Sequence, residues 1–394
     1  MLLTNATVIT SWSNPEVLHA VHVRIDGETI AAVSADLMAG PGEQVIDCRG
    51  RLIAPGFVCG HTHLYSGLSR GMPPLEPGAP RTFRETLEKV WWRLDRALNA
   101  DSILASARVG LIEALRSGTT GLIDHHASPG FVDGSLDLLA AEFDDVGMRG
   151  LLCYEVSDRD GPAIRDAGLA ENRRFLARAA TSGMTAGLCG AHASFTLGDD
   201  TLDALALVVA DADSGLHIHV AEGGTDRAET RSVHGAALID RFESRGLLGP
   251  KTLFAHCVDL EPAEVETLNG RGVHIAHNPR SNMNNRVGFA PTWAQSPRVV
   301  LGTDGIGADM YEEAKVAFFR GREAVEGTGA EVVTAMLQRG GALLYETLGV
   351  QGGRVAAGAV ADLQILNYPS PTPLTAGNAA WHFLFGMSAR QVET

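Results

Sequence analysis

Histidine or carboxylate closes nearly every short apolar run in the middle of this chain: His61-Thr62-His63, Asp124-His125-His126, Tyr154-Glu155, His192, His219 with Glu222, His256, His277-Asn278 and Asp304. Imidazole and carboxylate donors in that mixture suit a divalent metal and the movement of protons around it. His61 and His63 are the sharpest pair. On a strand, residues i and i+2 point to the same side, so H-x-H brings two imidazoles to one ion. Alone, such a pair would read as surface histidines, but this one ends an apolar run that follows Pro55-Gly56.

His219 and Glu222 lie in H-V-A-E, where a strand-end histidine can bind the metal and the carboxylate can shuttle a proton at its water. His256 and Asp304 end two further runs, and a carboxylate at Asp304 can complete a set of three histidines and one aspartate, with a position left for water. His217 shares the parity of His219 but lies deeper and reads as a polar residue of the core. His192, His277 and Asn278 read as pocket walls that bond substrate or orient ligands. Of Asp124, His125 and His126, only one parity can face inward. A two-metal site is the main competitor, and its usual bridge, a carbamylated lysine on the fourth strand, is ruled out because no lysine occurs between Lys89 and Lys251. Cys189 and Glu155 remain as alternative bridges, and one metal is favoured.

What would bring such residues together is a ring of parallel strands. Eight glycine-flanked apolar runs (52–61, 119–127, 148–156, 184–192, 216–222, 252–257, 272–279 and 298–304) alternate with amphipathic stretches such as DSILASARVGLIEALRSG and TLDALALVVADAD. That alternation predicts a (β/α)8 TIM-like barrel, whose active site is built where the strand C-termini converge. The first fifty residues are β-rich, with turns at Asn14-Pro15 and Asp26-Gly27, and GAVADLQILNY near the other end is β-rich again. The predicted organisation is an α/β barrel over 51–351 and a small composite β-sandwich from 1–50 and 352–394. Segment 64–100, with Pro73-Pro74, Pro77 and Pro80, reads as a lid, and Trp91 and Trp92 as packing residues or caps over the mouth.

The composition narrows the partners. The formal charge of −15, with only three lysines, leaves no basic face for nucleic acid. No apolar run approaches the ~20 residues that span a bilayer, and the N-terminus lacks a secretion signal. Five scattered cysteines without C-x-x-C form neither a disulfide framework nor a zinc knuckle, so a cytoplasmic setting is expected. Dinucleotide, P-loop and nucleophile-elbow motifs do not occur.

Several stretches are similar to those of a known family. APGFVCGHTHLYSGLSRGM (54–72), HIHVAE (217–222), FAHC (254–257), HNPRSNMNNRVG (277–288) and LGTDGIGADMYEE (301–313) resemble the amidohydrolase superfamily, in the branch of cytosine deaminase, guanine deaminase, adenosylhomocysteine deaminase and the triazine hydrolases. DHHASPGFVDGSLD (124–137) and LCYEVSDRDG (152–161) most resemble the aminohydrolases called SsnA. The resemblance covers nearly the whole chain. It implies a mononuclear site with His61, His63, His219 and Asp304 as metal ligands, His256 as hydrogen-bond partner of water or substrate, and Glu222 as acid and base. It implies one divalent ion, zinc or else iron, and a homodimer or higher oligomer. Members continue past the equivalent of FGMSARQVET with further strands, so with the sequence stopping at Thr394 the resemblance leads us to expect a sandwich that lacks an edge.

The expected activity is that of an aminohydrolase that replaces an exocyclic amino group of a purine-, pterin-, pyrimidine- or triazine-like heterocycle by metal-activated water. Arg70, Arg280 and the lid aromatics are candidates for substrate recognition, alongside His192, His277 and Asn278. The alternatives are opening of a cyclic amide, expulsion of another leaving group, and a non-catalytic assembly protein on the same fold.

Overall fold

The computed structural model describes residues 1–72, 80–179, 183–290 and 296–394, so Pro73, Pro74 and Pro77 of the expected lid lie outside the described residues. Those residues fall into two units.

One unit comprises Met1–Cys59, Glu113–Gly121 and Ala308–Thr394. Its strands are β1 (Leu2–Ile9), β2 (Val17–Asp26), β3 (Thr29–Ser34), β4 (Val45–Asp47), β5 (Leu52–Pro55) and β15 (Leu363–Leu366). They form one sheet in the order β15-β5-β1-β2-β3, with β4 beside β1. The β2–β3 hairpin turns at Asp26-Gly27, where Gly27 takes the left-handed φ of +56° that a tight two-residue turn requires. Alternate residues of these strands, among them Val8, Val21, Val23, Ile30 and Ile53, bury one apolar face. The helices Met310–Ala324, Ala330–Leu348 and Ala379–Gly386 belong to the same unit as the sheet.

The run 52–61 is not the single barrel strand expected of it. Leu52–Pro55 pairs antiparallel with Leu363–Leu366, and the barrel strand β6 (Phe57–Thr62) begins only after Gly56. Pro55 cannot donate to a ladder on the far side, and a side chain at Gly56 would collide with Thr120, so the chain changes sheets at this dipeptide.

The other unit, Gly60–Ile112 with Leu122–Gly307, carries the strand ends. After β6 come β7 (Thr119–His126), β8 (Arg149–Tyr154), β9 (Thr185–Gly187), β10 (Cys189–Ala193), β11 (Leu216–Val220), β12 (Leu253–His256), β13 (His274–His277) and β14 (Val299–Leu301). Two sheets, β6-β7-β8-β9 and β10-β11-β12-β13-β14, meet through the parallel bridges Thr62–Asp304 and Val156–Ala191. With β9 and β10 as one strand interrupted at Leu188, the ring has the eight members of a TIM-like barrel. Helix Ala100–Arg116 is capped by Asn99, whose side-chain oxygen accepts the Ser102 amide at 3.0 Å.

Candidate metal centre

The period of two places His61 and His63 on the same side of β6, and the ends of β7, β11, β12 and β14 bring further donors to them. Two overlapping groups have donor atoms within 4.8 Å of one another: His61, His63, His125 and His219, and His61, His219, His256 and Asp304. Of the three consecutive candidates on β7, His125 is the one that joins the cluster. Asp124 turns away to accept the Leu64 amide at 2.7 Å, and His126 pairs with Ser128 Oγ at 2.9 Å.

The hydrogen bonds behind the rings decide what their front faces offer. His63 Nδ1 lies 2.6 Å from the His125 carbonyl, and His219 Nδ1 lies 2.6 Å from the His192 carbonyl, so each of these nitrogens carries a proton and donates it. The two Nε2 atoms then face each other at 3.1 Å, and Asp304 Oδ1 lies 2.9 Å from that of His63. In neutral rings, two lone pairs and a carboxylate oxygen converge on one point, which requires a positive charge between them. A divalent cation fits this donor set of nitrogen and oxygen atoms.

A proton on His63 can meet the same demand for positive charge. Burial opposes a charge on His63, yet the carboxylates of Asp304 and Glu155 hold its imidazole well above the usual histidine range. Burial acts against ionised Asp304 as well, but His61 and His63 keep it well below the usual carboxylate range. Burial and the neighbouring imidazoles hold His61, His125 and His217 well below theirs. His217 is more than a core filler: its Nε2 is 2.9 Å from His61 Nδ1, directly behind the cluster. Glu155 stands 3.2 Å from both His63 Nδ1 and His125 Nδ1. Burial would raise it, but the His63 contact brings it down to about 2.

The backbone at the strand ends is strained in the same place. Ala221, His256, Cys257 and Asp304 have φ between +51° and +72°. Left-handed non-glycine residues cost about 1–3 kcal/mol each and persist where surrounding contacts hold them. Here the Cys257, Val258 and Asp304 amides donate to Val220, Ala221 and His61 carbonyls at 2.8–3.0 Å.

A cavity opens in front of His63, His219 and Asp304. Glu222, His192, Asn285 and Asp95 also line it, with an apolar wall of Tyr65, Phe83, Leu87, Trp91, Trp92 and Phe195. Of the two expectations for Trp91 and Trp92, packing or capping, their place in the cavity lining fits the second. Glu222 Oε2 lies 3.5 Å from His256 Nε2, and burial, with Asp304 adding to it against the pull of His256, raises its carboxyl to about 7. His277, Asn278 and Arg280 stand back from the cavity: His277 lies edge-on to Phe289, Asn278 Nδ2 is 3.5 Å from His256 Nδ1, and Arg280 donates to the Gly307 carbonyl at 2.7 Å.

A match to the model of the Amidohydrolase family extends over residues 52–390. The chain belongs to the amidohydrolase family. It is 32% identical to the 5'-deoxyadenosine deaminase of Methanothermobacter thermautotrophicus, with 97% of this chain and 90% of that protein covered. A zinc-bound adenosine deaminase from Xanthomonas campestris superposes with a TM-score of 0.85 at 21% identity, over 99% of this chain and 90% of that one. An atrazine chlorohydrolase from Arthrobacter aurescens, in complex with zinc, does so with 0.83 at 23% identity, over 99% and 94%. These likenesses show the barrel with its additional β domain. As a family member the protein is a metal-dependent hydrolase acting on carbon–nitrogen bonds other than peptide bonds. All five cysteines are buried and none is in a disulfide, and among the described residues no helix is long and apolar enough to cross a membrane.

Ser281, Asn282, Asn285 and Asp95 line or support the site and carry no role in the sequence reading, whereas Glu155, weighed there as a bridge between two metals, stands behind His63 and His125. The signal available for the first three was their position in HNPRSNMNNRVG, at i, i+1 and i+4.

Proposed function

We propose that this amidohydrolase is an aminohydrolase: it replaces the exocyclic amino group of a planar nitrogen heterocycle with oxygen from water and releases ammonia. The observation that carries the reading is a buried carboxyl of raised pKa, Glu222, set 3.5 Å from His256 at the wall of a cavity that also reaches Asp304 and His63. His61, His63, His219 and Asp304 would hold one divalent ion, zinc in this proposal and iron as the alternative. Such an ion lowers the pKa of water from about 15.7 towards about 7 and so makes it a nucleophile at neutral pH.

The chain's own groups do the rest. Glu222 Oε2 takes the proton from water and delivers it to a ring nitrogen, which makes the adjoining carbon electrophilic. The same carboxylate then takes the proton of the newly added hydroxyl and passes it to the departing amine, and a carboxyl whose pKa is raised by burial suits both transfers. His256, held on its Nδ1 side by Asn282 at 2.8 Å, presents Nε2 to the water or the substrate. Asp304, with Oδ1 turned to His63 Nε2, would orient the attacking oxygen. The rings of Phe83, Trp91 and Trp92 offer a flat heterocycle surfaces on which to stack. His192 lines the cavity and would bond the substrate, while His277, Asn278 and Arg280 would act by supporting His256 and the strand ends.

The test is ammonia release by zinc-loaded protein from purines, pterins, pyrimidines and triazines, with adenosine derivatives first because the 32% identical relative is named for one. Release that disappears in Asp304→Asn supports the reading. Turnover that opens a ring without freeing ammonia would replace it with cyclic-amide hydrolysis.

A further inference from the structure

The segment HNPRSNMNNRVG forms a single short helix, Pro279–Asn284, that touches three different groups of the site. The Ser281 hydroxyl donates to Asp304 Oδ2. Asn282 Oδ1 lies 2.8 Å from His256 Nδ1. Asn285, at the C-terminal cap, donates through Nδ2 to Glu222 Oε1 at 3.2 Å and to Ser281 Oγ at 3.3 Å. Ser281 and Asn285 are four apart and so share a face, which ties Glu222 and Asp304, from different strands, through one helical turn. The backbone holds the turn in place: the Asn285 amide donates to the Ser281 carbonyl at 2.8 Å and the Val287 amide to that of Asn282 at 3.1 Å.

Each contact occupies one atom of its partner and leaves the twin for chemistry. With Oδ2 taken by Ser281, Asp304 turns Oδ1 to His63 Nε2 at 2.9 Å. With Nδ1 taken by Asn282, His256 turns Nε2 forward. With Oε1 taken by Asn285, Glu222 turns Oε2 to His256. The last is the informative one, because Asn285 is half-buried at the cavity wall and no strand requires an amide there.

We infer that Asn285 is a positioning residue for Glu222: its amide holds Oε1, fixes the plane of the carboxylate, and so assigns proton transfer to Oε2. The inference rests on the reading of Glu222 as acid and base. Four variants test it: Asn285→Leu, Asn285→Asp, Glu222→Gln and the double variant Glu222→Gln/Asn285→Leu, each assayed for kcat, KM, bound metal and melting temperature. Asn285→Asp keeps the shape of the side chain but cannot donate at neutral pH and sets a like charge beside Glu222, so the loss in Asn285→Leu, which adds no charge, reads the lost donor alone.

Both single changes at 285 are expected to lower kcat by about 10–100-fold, the usual cost of losing an outer hydrogen-bond partner, with KM and metal content near wild type. In the Glu222→Gln background, Asn285→Leu should cause no further loss, because the two act as a unit. Unchanged kcat in Asn285→Asp, a rise in KM alone, or losses that multiply in the double variant would overturn the inference while leaving Glu222 in its role. Full turnover by Glu222→Gln would overturn the acid/base reading itself, and the inference with it.

Discussion

Gly302, between β14 and Asp304, offers a sharp test of how tightly the strand ends must approach. A Cβ at this position would collide with Asn278 Oδ1 and lie 2.8 Å from His61 Cβ and 2.9 Å from His61 N. Gly302 does not need a left-handed φ, so the cost of Gly302→Ala would be contact alone. Carbon atoms rest about 3.5–4.0 Å apart, so His61 or the 302–304 segment would have to retreat by roughly 0.7 Å or more. That segment cannot yield without disturbing the site: the Gly302 amide donates to His277, and those of Thr303 and Asp304 both donate to the His61 carbonyl, at 2.9–3.0 Å. Overpacking of this kind costs about 1–3 kcal/mol of stability. A displacement near 1 Å of a reacting group costs about 10²-fold in rate. Gly302→Ala is therefore expected to melt lower, to retain less metal after dialysis against a weak chelator, and to lose roughly two orders of magnitude in kcat. Gly270→Ala is the control, because a Cβ there meets nothing within 4 Å and the residue lies in helix Pro262–Arg271. It should be neutral or stabilise by about 0.5–1 kcal/mol. Gly302→Ala protein with wild-type metal retention and kcat would refute the reasoning.

Further outcomes follow from the electrostatics. Glu222 must be ionised to accept a proton, so kcat/KM is expected to fall as pH drops through its pKa, about 7 without a cation and lower with one bound. The limb should be absent in Glu222→Gln, and activity that instead declines as pH rises through 7 would count against Glu222 as the base. Glu155→Gln removes the carboxylate behind His63 Nδ1 and should weaken metal binding by about 10–100-fold in a chelator competition. Chelation of the wild-type protein should abolish turnover and lower its melting temperature, because an ion that binds only the folded state stabilises it by mass action.

Much of this site could be read along the chain because its logic is local. H-x-H faces one way on any strand, and H-V-A-E puts a carboxylate just past a strand end. The eight apolar runs, bounded by glycine and polar residues, correspond to the observed strands β6 to β14 within a few residues. The split of 52–61 was hidden because Pro55-Gly56 interrupts a run that stays apolar on both sides, and only the antiparallel partner 363–366, far away in the chain, shows where Leu52–Pro55 belongs.

Other assignments depended on neighbours that no spacing reveals. The triplet Asp124-His125-His126 has two parities, and the ring itself selects His125 for the cluster and sends Asp124 to the Leu64 amide. His217 could not be told from a core residue until the 2.9 Å contact with His61 was known. The places of Glu155, Ser281 and Asn285 were likewise set by side chains from other strands. The sequence alone determined which donors this protein possesses and that they stand at strand ends, because the twofold repeat of a strand and the chemistry of imidazole and carboxylate are properties of a few adjacent residues. The tertiary structure alone decided which nitrogen or oxygen of each donor is held from behind and which faces the cavity, because a side chain's orientation is set by partners that are close in space and remote in the chain.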